Sequence, residues 1–100
     1  MAMFKDVMEL VQVKYVKDEL HQEIKQEVRR QVYCDKKSVS QSEFFNAGQN
    51  GFKPQYVFIM RLADYDDEQT AIYNNKKYAV YRTYEKGENI ELYCEKKVGV

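Results

Sequence analysis

The sequence has little of several residue types that mark particular protein classes: of its 100 residues, one is Pro, four are Gly, one is His, two are Cys and none is Trp. So little Pro and Gly, beside 44% hydrophobic residues, excludes a disordered or collagen-like chain. The chain also lacks a charge excess, because 16 basic residues balance 16 acidic ones. A tight nucleic-acid binder usually carries a basic excess that neutralises phosphates. We therefore expect one folded domain over residues 1–100 that does not hold nucleic acid tightly.

Recognisable catalytic and metal-binding patterns are also missing. The only His, His21, lies in a predicted turn, and the sequence has no glycine-rich phosphate loop and no H-E-x-x-H motif. The acidic segment 64–68 lacks the spacing of a calcium loop, so we interpret it as a solvated connection between strands. We expect no enzyme activity, no cofactor and no metal.

The two cysteines and the hydropathy pattern bear on the compartment. Cys34 and Cys94 have no C-x-x-C spacing and fall in the apolar phase of predicted strands, so we expect two buried free thiols. No apolar run approaches the ~20 residues that span a bilayer, and the N-terminal residues lack a signal-peptide pattern. These features predict a cytosolic protein that does not contact a membrane.

Apolar patterns predict six strands, at about residues 7–15, 22–34, 56–63, 70–73, 77–84 and 90–95. The segment 56–63 is almost wholly apolar apart from Arg61, as expected of a strand covered on both faces. The second strand, at 22–34, is ambiguous, because Leu20, Ile24, Val28 and Val32 are four residues apart, a spacing that fits a strand face and a helix stripe alike. The helix stripe would be thin, since Glu23 and the other intervening positions are polar. Helix propensity nevertheless favours a helix over 18–31, so the pattern alone does not decide.

One short helix is predicted at about residues 40–49. Ser40 followed by Glu43 forms a capping box, and Val39 and Phe44 occupy the positions of a hydrophobic staple. We interpret residues 36–54 as an excursion from the sheet that carries this helix. Together the elements predict a mainly β fold, a small six-stranded antiparallel barrel or sandwich with one inserted helix.

Aromatic residues are the one excess, with nine Tyr in the chain. Strand alternation places Tyr81 opposite in phase to Tyr78 and Tyr84, and Tyr93 opposite to Leu92, so some Tyr side chains must face outwards. They either contact a partner or pair across strands to stabilise the sheet, and the pattern leaves both open.

The order of these features resembles the head-tail adaptor, or head closure (stopper), proteins of tailed bacteriophages. The resemblance covers about residues 7–98 and is carried by several short segments in order: EVRRQVYC at 27–34, KSV at 37–39, SEFFNAG at 42–48, VFIMR at 57–61, ADY at 63–65, IYNNKKYAV at 72–80 and ELYCE at 91–95. It implies a small β-barrel with one short helix, and on that ground we predict a strand rather than a helix at 22–34. Asn75 stands where Gly is commoner in that family, and both residues accept the turn.

The resemblance implies a structural protein of the virion, or of a prophage, at the head-tail interface. Such proteins form a ring below the portal, close the DNA channel after packaging and provide the docking site for the tail. The expected partners are the portal and connector ring, tail proteins and further copies of the chain, with DNA only passing through. Segment 36–54 corresponds to a channel-facing or ring-contact insertion, and the candidate contact residues are Lys36, Lys37, Phe45, Phe52, Lys53, Tyr81 and Tyr93. The alternative is a small barrel of the OB or SH3 type that binds single-stranded nucleic acid or peptide.

Overall fold

The computed structural model describes residues 4–97, which form six strands, one α-helix and one 3-10 turn. None of the helices in this range is long and apolar enough to span a membrane. In chain order the elements are β1 (Asp6–Lys17), β2 (Glu23–Ser38), α1 (Gln41–Gln49), β3 (Pro54–Arg61), the 3-10 turn (Leu62–Asp64), β4 (Thr70–Tyr73), β5 (Lys76–Lys86) and β6 (Asn89–Lys96).

The strands form a closed antiparallel barrel in the order β1-β2-β3-β6-β5-β4. Closure depends on a short ladder in which Glu9, Leu10 and Val11 of β1 pair with β4. This confirms the predicted mainly β fold with six antiparallel strands and one short helix.

The barrel interior is filled by alternate side chains of every strand, as expected for a small closed barrel. Phe58 is fully buried at its centre, with the two predicted thiols, Cys34 and Cys94, also at 0% exposure. Burial raises the pKa of each thiol to about 12, so both remain protonated and behave as small apolar residues. The other core side chains are Met8, Leu10, Val32, Met60, Ala71, Tyr78, Val80, Ile90 and Leu92.

β2 is a strand throughout, which confirms the prediction at 22–34 and excludes a helix at 18–31. It continues to Ser38, so Lys36 and Lys37 lie in the sheet and pair with Phe58 and Val57 of β3. The predicted excursion at 36–54 is therefore too long, because ladder pairing with β3 holds its first residues extended. β3 in turn begins at Pro54 and is followed by a 3-10 turn where the sequence predicted further strand.

Two turns follow from their residue types. Asn74 and Asn75 have φ angles of 53° and 65°, as the predicted type I′ hairpin between β4 and β5 requires. His21 lies in the turn between β1 and β2 with a φ of 60°, where Asp18 Oδ1 accepts hydrogen bonds from the N–H groups of Leu20 and Gln22.

β1 and β2 extend well beyond the barrel as a two-stranded hairpin, which we call the β1–β2 arm (residues 12–29). Its length contributes to an overall extent of 50 × 31 × 24 Å. Apolar side chains on both of its faces are exposed: Val13, Tyr15, Val16, Leu20, Ile24 and Val28. Ile24 and Val28 share the face of the buried Val32, as predicted, but no other strand within residues 4–97 covers them because the arm lies outside the barrel.

The connection between β3 and β4 (residues 62–69) is less solvated than the sequence predicted. Glu68 is 3% exposed and accepts a hydrogen bond from Arg30 Nη2 at 2.8 Å and another from the Asp66 N–H at 2.8 Å. Tyr65 donates its hydroxyl to the Glu68 carbonyl at 2.7 Å. The prediction of a wholly solvated connection was therefore wrong, since a buried carboxylate ties it to the base of the arm.

Candidate assembly surface

A β-bulge in β5 places two consecutive side chains on the outside of the barrel. Pairing with β6 shifts between Val80 and Arg82, so that Tyr81 and Arg82 together oppose Tyr93. A regular strand would point Tyr81 and Arg82 to opposite faces, whereas a bulge lets both face the same way. The shift also turns Tyr84 outwards, at 54% exposure, so the prediction that it shares the phase of the buried Tyr78 was wrong.

Helix α1 brings a carboxylate to these two side chains. Ser40 caps the helix, because its Oγ accepts the Glu43 N–H at 3.2 Å. In a complete capping box the Glu43 carboxylate would also accept the backbone N–H of Ser40, but here it does not. Instead this carboxylate accepts the Tyr81 hydroxyl at 2.7 Å, and both Nε and Nη2 of Arg82 donate to it.

The chain that leaves α1 adds an aromatic ring to the same place. Gly51, with a φ of 88°, turns the chain so that the Phe52 N–H donates to the Ala47 carbonyl at 3.0 Å. The Phe52 ring then stacks on Tyr81, with ring centroids 4.8 Å apart.

These side chains form one cluster, the outer aromatic cluster, made of Glu43, Phe52, Tyr81, Arg82 and Tyr93. The Arg82 guanidinium lies 3.9 Å from the centroid of the Tyr93 ring, and the Tyr93 ring is 6.4 Å from that of Tyr81. An open pocket of about 270 Å³ adjoins the cluster, lined by Glu43, Asn46, Ala47, Asn50, Phe52, Tyr81 and Arg82. Aromatic and Arg side chains around a concave surface are typical of protein contact sites.

Hydrogen bonding and burial shift the pKa values of two groups in this cluster. The hydrogen bonds from Arg82 hold the pKa of Glu43 below its ordinary value of 4.5. Burial, with the bond to Glu43, raises the pKa of Tyr81 well above its ordinary value of 10.0. The cluster therefore presents a neutral hydroxyl, a carboxylate and a guanidinium around neutrality, with its charges mutually satisfied.

Glu43→Gln is expected to make the free energy of unfolding depend less on pH in the acid range. A carboxyl whose pKa is lower in the folded than in the unfolded state stabilises the fold above the unfolded value, and this contribution is lost as the pH falls through the folded value. The variant should lose about 1 to 2 kcal/mol at pH 6, and the difference from the wild type should shrink as the pH falls below 4.5. Urea unfolding at several pH values measures both quantities.

The control for this prediction is Glu19→Gln, which changes the net charge equally in the exposed turn of the arm. A gap between Glu43→Gln and the wild type that stayed constant from pH 6 to pH 3 would contradict the proposed role of the Glu43 carboxylate.

Three of the predicted contact residues, Phe52, Tyr81 and Tyr93, meet in the outer aromatic cluster. Phe45 lies on α1, is 59% exposed and packs against Phe44 with ring centroids 6.2 Å apart, but it does not line the pocket beside the cluster. Phe44, assigned by sequence to a staple with Val39, is itself 55% exposed.

The predicted lysines lie elsewhere. Lys36 Nζ is 4.7 Å from the ring centroid of Tyr56 and 5.3 Å from that of Tyr73, so its charge covers one end of the barrel core. Lys37 is exposed in β2. The N–H of Lys53 donates to the Glu95 carboxylate at 3.0 Å, which fixes the backbone between Phe52 and β3.

Sequence reasoning missed Arg82 and the role of Glu43, and it missed the whole β1–β2 arm. No sequence pattern indicates that Arg82 belongs to the cluster, because only the bulge turns it towards Tyr93. The arm left one signal in the sequence: the strand predicted at 22–34 is already longer than the roughly 3 to 10 residues usual for a strand.

No protein-family model matches the sequence, and no curated protein matches it significantly.

Proposed function

We propose that this chain is a structural head-tail connector protein of a tailed bacteriophage or prophage. In this role it assembles as a ring below the portal, closes the DNA channel after packaging and provides the docking site for the tail. The order of the sequence segments suggests the class, and the closed barrel with one helix agrees with the fold that the resemblance implies. The protein would act by contact alone, without catalysis, in the virion and before assembly in the host cytoplasm.

The observation that most supports the proposal is the amount of apolar side-chain surface exposed to solvent. The β1–β2 arm exposes six large apolar side chains, from Val13 to Val28, and α1 exposes the rings of Phe44 and Phe45. Single exposed apolar residues are common, but grouped ones mark interaction sites. An assembly protein that gains most of its contacts in a larger particle explains both groups.

Within this proposal, α1 and the outer aromatic cluster form the contact with the neighbouring ring. Helix α1 lies in the part of segment 36–54 that leaves the sheet, and Phe45 is its most exposed ring. Phe52 and Tyr81 line the open pocket. Such rings suit a protein partner, because aromatic side chains supply large contact area at low entropic cost.

Disruption of the gene tests the function. We expect DNA-filled heads that leak their DNA and carry no tails, as seen by electron microscopy and nuclease sensitivity of the packaged DNA. Normal tailed particles would refute the proposal. Complementation then tests the surface: Phe45→Ser should restore fewer tailed particles than the wild-type gene, whereas Gln49→Ala, on the same helix, should restore them fully.

The alternative, a module that binds single-stranded nucleic acid or peptide, draws on the stacked Phe52 and Tyr81 rings, since bases stack on such surfaces. The charges favour it less, because Arg82 is already paired with Glu43 and the chain carries no net positive charge. Strong, salt-dependent retention of the protein on single-stranded DNA would favour the alternative, and no retention at low salt would exclude that ligand.

A further inference from the structure

The outer edge of β2 in the arm has no strand beside it in the part of the chain that the structure describes. β2 pairs with β1 from Glu23 to Cys34 on one side, while on its other side, within residues 4–97, the ladder with β3 holds only Asp35–Ser38. The backbone N–H and C=O groups that point away from β1 between residues 23 and 29 therefore face solvent. Such an edge is a template for another strand, and an isolated two-stranded hairpin has marginal stability.

The sequence of this edge is complementary to itself when reversed. Residues 23–29 read EIKQEVR, and antiparallel pairing about Gln26 places each acidic residue opposite a basic one. Glu23 meets Arg29, Lys25 meets Glu27, and Ile24 meets Val28, and each pair occurs twice by symmetry. Opposite charges and apolar pairs directly across a ladder both stabilise a sheet.

The sides of the sheet to which these residues point also agree with this register. Residues opposite each other in an antiparallel ladder point to the same side, and the pairs about Gln26 join even positions to even and odd to odd. Within its own hairpin, Lys25 lies opposite Tyr15 and Glu27 opposite Val13, so neither has an oppositely charged cross-strand partner. Arg29 reaches Glu27 and Glu9 only at 3.8 Å, in exposed ion pairs, which contribute little and can exchange.

The other edge of the arm does not have this property. Residues 12–17 of β1 read QVKYVK, with two Lys and no acidic residue, so a second copy of this edge would offer no opposite charge. Lys on an exposed edge strand is a common protection against pairing. The charge pattern therefore selects the β2 edge and a partner with the same sequence.

We propose that the free protein forms a two-fold dimer in which residues 23–29 of two copies pair antiparallel about Gln26. The two arms then make a four-stranded sheet in the order β1-β2-β2-β1. A two-fold contact joins identical surfaces and closes on itself, so it cannot be the contact that repeats around a ring. The dimer belongs to the unassembled chain, where it covers the arm edge, and it does not depend on the function proposed above.

Disulfide formation tests the register directly. In the dimer, Gln26 faces its own copy at an antiparallel Cα separation of about 4.5 to 5.5 Å, within the range of a disulfide. The Gln26→Cys variant should therefore form a covalent dimer under mild oxidation. Glu23→Cys is the control on the same exposed strand, because its two copies would lie about 20 Å apart. The native thiols are buried and do not interfere. Equal yields from the two variants would overturn the proposal.

Charge variants of the full-length chain test the complementarity by sedimentation equilibrium. Lys25→Glu and Glu27→Lys each bring like charges together twice, and each should weaken dimerisation by roughly tenfold or more. The double variant restores opposite charges and should recover the wild-type constant. Lys14→Glu, on β1, should leave it unchanged, and added salt should weaken the wild-type dimer. A wild-type monomer at all concentrations, open-ended polymers, or a double variant as weak as the single ones would overturn the proposal.

Discussion

Phe58→Ala is expected to destabilise the protein by about 3 to 5 kcal/mol, the cost of removing a large aromatic side chain from a packed core. Phe58 is fully buried, and its ring centroid lies 5.3 Å from that of Tyr73 and 5.9 Å from that of Tyr78. Because these rings come from β4 and β5, the loss would loosen the barrel across its interior and not only at one strand. Domains of this size have a total stability of about 5 to 15 kcal/mol, so the variant should lie near the limit of folding.

Urea unfolding followed by circular dichroism measures this loss, with Phe45→Ala as the matched control. Phe45 is 59% exposed on α1, and Ala is a better helix former than Phe, so this substitution should change stability by less than about 1 kcal/mol. Equal losses from the two variants would contradict the packed position of Phe58 in the barrel interior.

The parts of the fold that could be predicted from the sequence are those whose pattern lies within one short segment. Ser40 with Glu43 marked the helix start, and Asn74 with Asn75 marked the type I′ turn, because capping and turn geometry depend on adjacent residues. The strand at 22–34 was not decided in this way. Ile24 and Val28 fit either structure, and only pairing with β1, a contact distant in sequence, makes the segment extended.

The candidate site was predictable as a set of residues but not as an arrangement. Alternation placed Tyr81 opposite in phase to Tyr78 and Tyr93 opposite to Leu92, which the structure agrees with. The bulge that turns Arg82 to the same face has no sequence signature at Tyr81. Glu43 was predicted from its place three residues after Ser40. Its side chain has a different role because Tyr81 and Arg82 offer charge-assisted hydrogen bonds that the helix terminus cannot match.

The β1–β2 arm shows a second limit of periodicity. The spacing of Ile24, Val28 and Val32 predicts that the three side chains share one face of the strand, and the structure agrees. It does not report whether anything covers that face, and Val32 is 5% exposed whereas Ile24 is 47% exposed. The difference depends on where β3 and β4 end, which is a property of the barrel and not of β2.

Arg30→Ala is expected to destabilise the protein by about 2 to 4 kcal/mol, because it leaves the carboxylate of Glu68 buried without its cation. The Arg30 side chain is 40% exposed, while that of Glu68 is 2% exposed. The free-energy cost of desolvation therefore lies mainly with the Glu68 carboxylate. The adjacent Arg29→Ala is the control. Its ion pairs are 3.8 Å long and exposed, and its removal should cost less than about 1 kcal/mol.

A second substitution separates the charge from the packing at this site. If the cost comes from an unpaired carboxylate, Glu68→Gln should be much less harmful in the Arg30→Ala background than in the wild type, because a neutral amide needs no cation. Urea midpoints of the four proteins give this coupling. Additive losses would instead assign the effect to the packing of Arg30 on the connection 62–69. A strong coupling would instead identify the Arg30–Glu68 ion pair as the contact that holds the base of the arm to this connection.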